Sequence, residues 1–340
     1  MKKAMLFILS VLLLGVLGAC SSLTSSSGIG KEVLTIDEER EQGMKFEVNA
    51  DGNKIYMGLT DRGVTANDEY FVVIEDGKEK ELEGDFLSHF GYFNHAGDAI
   101  INRRLGVLYV HDLSSDSIEE YELGDGAMSY GKNFLSSDNT HLLVVNDDDE
   151  YEILNLKTKE RTHVGVPTIN GEEYFHSTRE YYTASLNEDG SVIYFSLNAE
   201  GLYKYDVATE QLEQLYVPNN VDRFYAQLTD NPNYIHIQQD GNSVIYDLSD
   251  GSDYPVDYTI LGVLETGKAW YRDHDEHKVY VVDIKSGDTK EILDHSDGEG
   301  GRDFRLEAID LSYDGSTLYY IKREEDDYLL MEKDVSSLTK

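Results

Sequence analysis

Short apolar runs, each preceded by a turn signal, recur along this chain from residue 32 onward. The clearest unit is residues 187–215. Asn187-Glu188-Asp189-Gly190 signals a turn, because glycine supplies the positive φ that a hairpin needs. Val192-Ile193-Tyr194-Phe195 is a continuous run of β-branched and aromatic residues, the pattern of a strand buried on both faces. A second hairpin at residues 198–201 leads into Leu202-Tyr203-Lys204-Tyr205-Asp206-Val207. Thr209-Glu210 then turns the chain into residues 211–215, where apolar positions thin out as in an outer strand with one wet side.

Two landmarks of this unit recur seven times in alternation. The turn recurs at Asp51-Gly52, Ala96-Gly97, Asp138-Asn139, Asp189-Gly190, Pro232-Asn233, Thr266-Gly267 and Asp314-Gly315. The apolar run ending in an acid or amide recurs at Asp76, Asp112, Asn155, Asp206, Asp247, Asp283 and Asp334. A period of roughly 40–50 residues with four short strands per unit predicts an all-β fold: a single seven-bladed β-propeller of four-stranded antiparallel blades. The pattern SxDGxxIYF followed by LYxYDxxTxExxxL is best preserved at 187–215 and 312–335, and it resembles the TolB-type, WD-like propeller repeat. The resemblance spans nearly the whole chain after residue 31. It implies an architecture and leaves the activity open, because propellers host many functions.

Within each blade, strands A to D should run outward from a central channel. The A–B and C–D turns then share one face, and the B–C hairpins and D-to-A crossings share the other. The acid that ends each strand C reads as a turn cap, accepting backbone N–H groups of the C–D turn. The last repeat stops after three strands. Glu32 to Ile36 is the candidate for its missing outer strand, which would close the ring from both chain ends and leave no open edge.

The start of the chain is different in kind. Met1-Lys2-Lys3 is basic, and Ala4 to Gly15 is an apolar stretch shorter than a membrane span. Leu17-Gly18-Ala19-Cys20 resembles a bacterial lipobox, which implies lipidation of Cys20 and cleavage just before it. The expected organisation is a lipoprotein signal peptide over 1–19, the lipidated Cys20 and a flexible Ser/Gly tether over 20–31, and the propeller over 32–340. Cys20 is the only cysteine, so no disulfide forms within the chain. The expected location is the cell envelope, outside the cytoplasm, anchored to the membrane through Cys20.

Charge narrows the partners. A formal net charge of −37 repels phosphate backbones and anionic headgroups alike. Nucleic acid is therefore not an expected partner, and contact with the membrane falls to the lipid anchor alone.

No GxSxG elbow, HExxH pair, P-loop or dinucleotide fingerprint is present. No catalytic residue, metal ligand or cofactor is assigned. The first expectation is a monomeric binding or scaffold module for an envelope protein, peptide or glycan. The alternative is a hydrolase or lyase working at the channel mouth, with calcium as its candidate cofactor. Ligand-binding candidates cluster at the starts of the A strands and in the crossings before them: His89, Tyr92, Tyr130, Lys132, His176, Arg179, Tyr181, Arg223, Tyr225, Arg302 and Arg305. Tyr and His offer stacking surfaces there, and Arg offers anion-binding forks. The plainer reading of these aromatics is packing between blades. The Gly-rich acidic crossing at 294–303 has oxygen ligands suited to calcium, and the hairpin at 272–277 is the densest His/Asp cluster. Both read first as solvated turns.

Overall fold

The apolar runs become the middle strands of antiparallel sheets in a computed structural model. It describes residues 30–36, 45–61, 68–84, 87, 91–94, 97–104, 106–122, 135–136, 140–145, 151–165, 168–169, 172–173, 184–197, 200–219, 224–295, 306–324 and 327–340. Blade one pairs Lys45–Val48, Lys54–Asp61, Asp68–Glu75 and Lys78–Leu82 in sequence order. Blades two, four, five and six repeat this pattern over 92–122, 184–216, 224–256 and 260–294. Blade three has the strands His141–Val145, Tyr151–Asn155 and Arg161–Val164. Its inner position is held by Leu135, which bridges Leu142, and by Ser136, whose N–H donates to the His141 carbonyl at 2.8 Å.

Blade seven settles how the ring closes. Leu306–Leu311, Thr317–Glu324 and Asp327–Asp334 pair in order, and Lys31–Ile36 adds on the outside, antiparallel to Asp327–Asp334. Leu34 stands opposite Leu330, and Ile36 opposite Tyr328. The two ends of the chain therefore share one sheet, as the incomplete last repeat implied.

The core is divided among the junctions between blades. Successive side chains of a strand point to opposite faces, and here each face meets another sheet. Ile55, Met57 and Leu59 pack toward blade seven with Ile36, Ile321 and Leu330. Tyr56, on the other side of the same strand, packs toward blade two with Phe71, Phe93 and Ile100. Five further clusters fill the remaining junctions, so each of the seven has one. This explains why the middle strands read as unbroken apolar runs instead of alternating ones. Full burial of a Leu, Ile or Phe side chain contributes about 1.5–3 kcal/mol.

The A–B turns repeat one hydrogen-bond design. Asn49 Oδ1 accepts the N–H groups of Asn53 and Lys54 at 2.9 and 2.8 Å. Asn94 Oδ1 does the same for Asp98 and Ala99, and Ser136 Oγ for Thr140 and His141. The glycine of the turn has two jobs. At Gly97, φ is +68°, and a Cβ would lie 2.5 Å from Asn49 Nδ2 in the blade before. At Gly52, φ is +69°, and a Cβ would lie 2.8 Å from the Ser312 Cβ of blade seven. The same residue thus supplies the turn and sets the blade spacing.

The C–D turns are capped as expected, with one difference. Asp112 Oδ1 accepts from the N–H of Ser114 and of Ser115 at 2.9 and 2.8 Å. Asn155, Asp206, Asp247 and Asp283 play the same part, and Asp334, with no C–D turn after it, accepts from Ser336 N–H at the start of the final helical turn. Asp76 does not. It has φ +53° beside Gly77 at +69°, inside a two-residue turn that joins Glu75 to Lys78. Positive φ at both central positions is the preferred hairpin geometry for Asp-Gly.

The chain ends in one helical turn, Ser336–Thr339, whose Thr339 Oγ1 donates to the Gly315 carbonyl at 2.6 Å. Among the described residues no helix is long and apolar enough to cross a membrane.

Candidate functional site

Six inner strands and the Leu135–Ser136 segment of blade three converge on a central cavity of about 370 Å³. Every blade contributes to its wall. The lining comes mostly from the last residues of strand A and the turn that follows: Val48, Asn49 and Ala50, Phe93 and Asn94, Leu135 and Ser136, Leu228 to Asp230, Val263 and Leu264, and Asp310 and Leu311. The described cavity therefore sits toward the A–B turn end of the channel.

Three carboxylates face it, Glu47, Asp230 and Asp310, from blades one, five and seven. No Lys or Arg is among the described lining residues. Asp310 is fixed by backbone donors: Val48 N–H, across the closing junction, at 2.8 Å, and Leu311 N–H at 2.9 Å.

The remaining polar groups are neutral. Asn49, Asn94, Gln227 and Gln238 present amides. Burial pushes the His236 imidazole down to about 4, so it is uncharged at neutral pH; its Nε2 lies 3.3 Å from Ser243 Oγ. Burial pushes the Tyr313 phenol up to about 12, helped by the negative charges of Glu265, Asp230 and Glu188, so it stays protonated as a donor. Ser136 Oγ is occupied by the turn it caps, and Ser185 Oγ accepts from Leu228 N–H at 3.2 Å.

Apolar and aromatic surface completes the wall, with Tyr92, Leu261, Val263, Leu311 and Trp270. Trp270 is the only tryptophan of the chain and is 4% exposed. It stands directly across the ladder from Gly262. A Cβ at Gly262 would lie 2.6 Å from Trp270 Nε1 and 3.4 Å from Asp230 Oδ2. A glycine inside a strand commonly marks such a close approach.

A general base works best with a pKa near the operating pH, and His236 lies well below neutrality. The serine hydroxyls of the wall are committed to backbone groups. What remains is a concave surface with acceptors, neutral donors and apolar patches, the usual composition of a small-ligand site.

Of the residues expected at the channel, two are described. Tyr92 is buried, lines the cavity and packs with Ile101, Leu108 and Leu135. Tyr225 is 38% exposed, lies across the ladder from Gln238 and is not part of the cavity wall. His89, Tyr130, Lys132, His176, Arg179, Tyr181, Arg223, Arg302 and Arg305 lie outside the described residues, as does Cys20. Glu47, Asp230, Asp310, His236, Gln227, Gln238, Gly262 and Trp270 were not singled out from the sequence.

The two acidic segments fare differently. In the 272–277 hairpin, Asp273 Oδ1 accepts from Asp275 and Glu276 N–H, and the His277 ring meets His295 edge-on at 5.4 Å. Among the described residues no group of three or more His, Cys, Asp or Glu side chains converges as a metal site would require. Of the 294–303 crossing, only Asp294 and His295 are described.

No family model matches the chain, and no curated protein matches it. Solved structures do. An oligogalacturonate lyase from Vibrio parahaemolyticus superposes with a TM-score of 0.62 at 12% identity, over 91% of this chain and 93% of that one. An oligogalacturonate lyase in complex with manganese gives 0.61 at 13% identity, over 92% and 100%. The β-propeller domain of Cps50 (Swd1) from Myceliophteria thermophila gives 0.54 at 11% identity, over 88% and 98%. At these identities the likeness is one of fold alone.

Proposed function

We propose that this chain is a lipid-anchored propeller of the cell envelope, TolB-like in its repeats, that binds an envelope peptide or glycan in its channel without turning it over. The observation that carries the binding role is the make-up of the channel wall: acceptors and neutral donors from all seven blades, no cationic side chain among the described lining residues, and an imidazole too weakly basic to abstract protons at neutral pH. The anchor rests on the basic start, the short apolar stretch and Leu17-Gly18-Ala19-Cys20. Lipid would hold an acidic protein at a surface that its own charge repels.

A second reading, a lyase or hydrolase, is favoured by the structural likeness to oligogalacturonate lyases. Charge opposes the same substrate here. An oligogalacturonate is a polyanion, and it would meet Glu47, Asp230 and Asp310 on a chain of net charge −37.

The test has two parts. Metabolic labelling with a palmitate analogue should mark the parent and not Cys20→Ser. Crosslinking in intact envelopes should then recover a peptide- or glycan-bearing partner whose yield falls when Gln227 and Gln238 are both changed to Ala. Unchanged yield, or release of unsaturated product from oligogalacturonate, would overturn the binding reading.

A further inference from the structure

Ser185 brings to the channel wall a donor with nothing to receive its proton. It is 3% exposed and lines the cavity. Its Oγ accepts from Leu228 N–H at 3.2 Å, and among the described residues its own O–H donates to none. A hydroxyl both donates and accepts, so the donor half of this one is unused. A buried polar hydrogen left in that state is costly, and an acceptor brought into the cavity relieves it. Gln227 and Gln238 line the same wall and call for both kinds of partner, since an amide donates through nitrogen and accepts through oxygen.

The mouth at the A–B turns adds charge. In blades four to seven one turn residue gives its N–H to the first carbonyl of strand B: Asn187 to Val192, Thr229 to Tyr234, Leu264 to Lys268 and Ser312 to Thr317. The next residue is Glu188, Asp230, Glu265 and Tyr313, respectively. All three carboxylates are exposed, and among the described residues no Lys or Arg pairs with them. Asp230 and Tyr313 line the cavity. The Tyr313 phenol, pushed up first by burial, also feels the charges of Glu265, Asp230 and Glu188, so the four side chains gather at one mouth.

These two demands select the ligand. Among the described residues the carboxylates do not converge as a metal ion would require. A polyamine carries charge, but an ammonium has no lone pair for the Ser185 proton. A neutral saccharide has acceptors and no charge. A peptide with a Lys or Arg side chain has both: backbone carbonyls and N–H groups for Ser185, Gln227 and Gln238, and a cation on a long stem. Strand alternation extends the fit. Tyr225 and Gln227 share a face of Phe224–Leu228, so Tyr225, 38% exposed, continues the wall past the cavity, and Leu261 is 47% exposed within it. Both offer apolar surface to the other side chains of a peptide.

We propose that the channel takes an extended basic peptide, with a backbone carbonyl at Ser185 Oγ, backbone amides on Gln227 and Gln238, and a Lys or Arg side chain at the mouth among Glu188, Asp230 and Glu265. This rests on the reading of the channel as a binding site and selects peptide over glycan.

Calorimetric titration of the full-length chain tests it. The probes are acetylated and amidated Ala-Leu-Lys-Ala and Ala-Leu-Arg-Ala; the controls are the matching Ala-Leu-Glu-Ala, spermidine and neutral cello-oligosaccharides. At least one basic peptide should bind, more weakly as salt is raised, with the acidic peptide at least about tenfold weaker. Asp230→Asn combined with Glu265→Gln, both at exposed positions, should weaken that binding about tenfold while the melting temperature stays put. Ser185→Ala should weaken it as well, and its melt reports any loss at Leu228 N–H separately. If affinity is indifferent to these substitutions, or if the acidic peptide or spermidine binds as tightly as the basic peptides, the proposal fails. If a saccharide binds and no peptide does, the peptide assignment fails while the binding reading stands. If nothing binds, both fail.

Discussion

Lys285 Nζ, on the C–D turn of blade six, lies 3.0 Å from Asp247 Oδ2, on the C–D turn of blade five. The Asp247 side chain is 1% exposed, while Lys285 is half in solvent. Burial alone would raise the Asp247 pKa. Hydrogen bonds from Ser249 and the Lys285 ammonium outweigh it and hold the carboxyl below its ordinary range. The pair therefore ties adjacent blades at their rims. Lys285→Met should lower unfolding stability, though less than breaking a fully buried pair would, because one partner is exposed. Lys278→Met, which breaks a 3.0 Å pair with the exposed Glu291, should lower it less. Urea titration of both checks this, and equal effects would contradict it.

Ring closure makes the last blade depend on the first strand. Ile36 is 1% exposed, and Leu330 and Tyr328 would lose their cover without Lys31–Ile36. A chain beginning at Glu38 loses about 5 kcal/mol of burial, which should lower the melting temperature by about 10 °C. An unchanged melt would mean that the blade holds together with three strands.

Two glycines of nearly identical backbone separate turn strain from blade contact. Gly77 has φ +69° with nothing within 4 Å of a Cβ, whereas Gly97 has φ +68° with Asn49 Nδ2 at 2.5 Å. Gly77→Ala should cost about 1 kcal/mol, the penalty of a left-handed residue. Gly97→Ala should cost at least about 1 kcal/mol more, because the Asn49 cap has to move. Equal costs would show that the glycine serves the turn alone.

The buried imidazoles set an acid dependence. His236 and His295 are both pushed down to about 4, His236 by burial, and His295 by burial and then by Arg272 and His277. Unfolded, each titrates near 6.5. The unfolded chain therefore takes the proton first, and stability is lost as pH falls from about 6.5 toward 4. Relief of the −37 self-repulsion acts in the opposite direction, so the comparison must be with a variant. Between pH 7 and pH 5 the parent should lose more melting temperature than His236→Asn. Parallel curves would contradict the burial argument.

Much of this fold was legible in the sequence because a propeller writes its period in two local signals, the turn and the apolar run. The closing strand was legible because the last repeat is one strand short. Blade three was less so: its inner position is Leu135 and Ser136, with no apolar run to announce it. Asp76 was misplaced by one residue because Glu75 and Asp76 are both acidic, and the Asp-Gly pair is the turn itself. The channel wall was harder. Glu47 and Asp310 are single carboxylates among apolar neighbours, and Gly262 interrupts a strand without making a turn. Those were usable signals. Which end of each inner strand converges on its six counterparts follows from closing the ring, and no local pattern states it.

Trp270 gives the channel its own reporter, since the chain has no other tryptophan and this one lines the cavity. The most direct measurement is its emission during titration with a ligand whose binding is established by calorimetry. A ligand in the channel should shift or quench Trp270 emission saturably, with the midpoint of the calorimetric curve, and should protect the indole from acrylamide. Calorimetric binding with an unmoved emission spectrum and unchanged quenching would place the ligand elsewhere on the wheel and contradict a channel site.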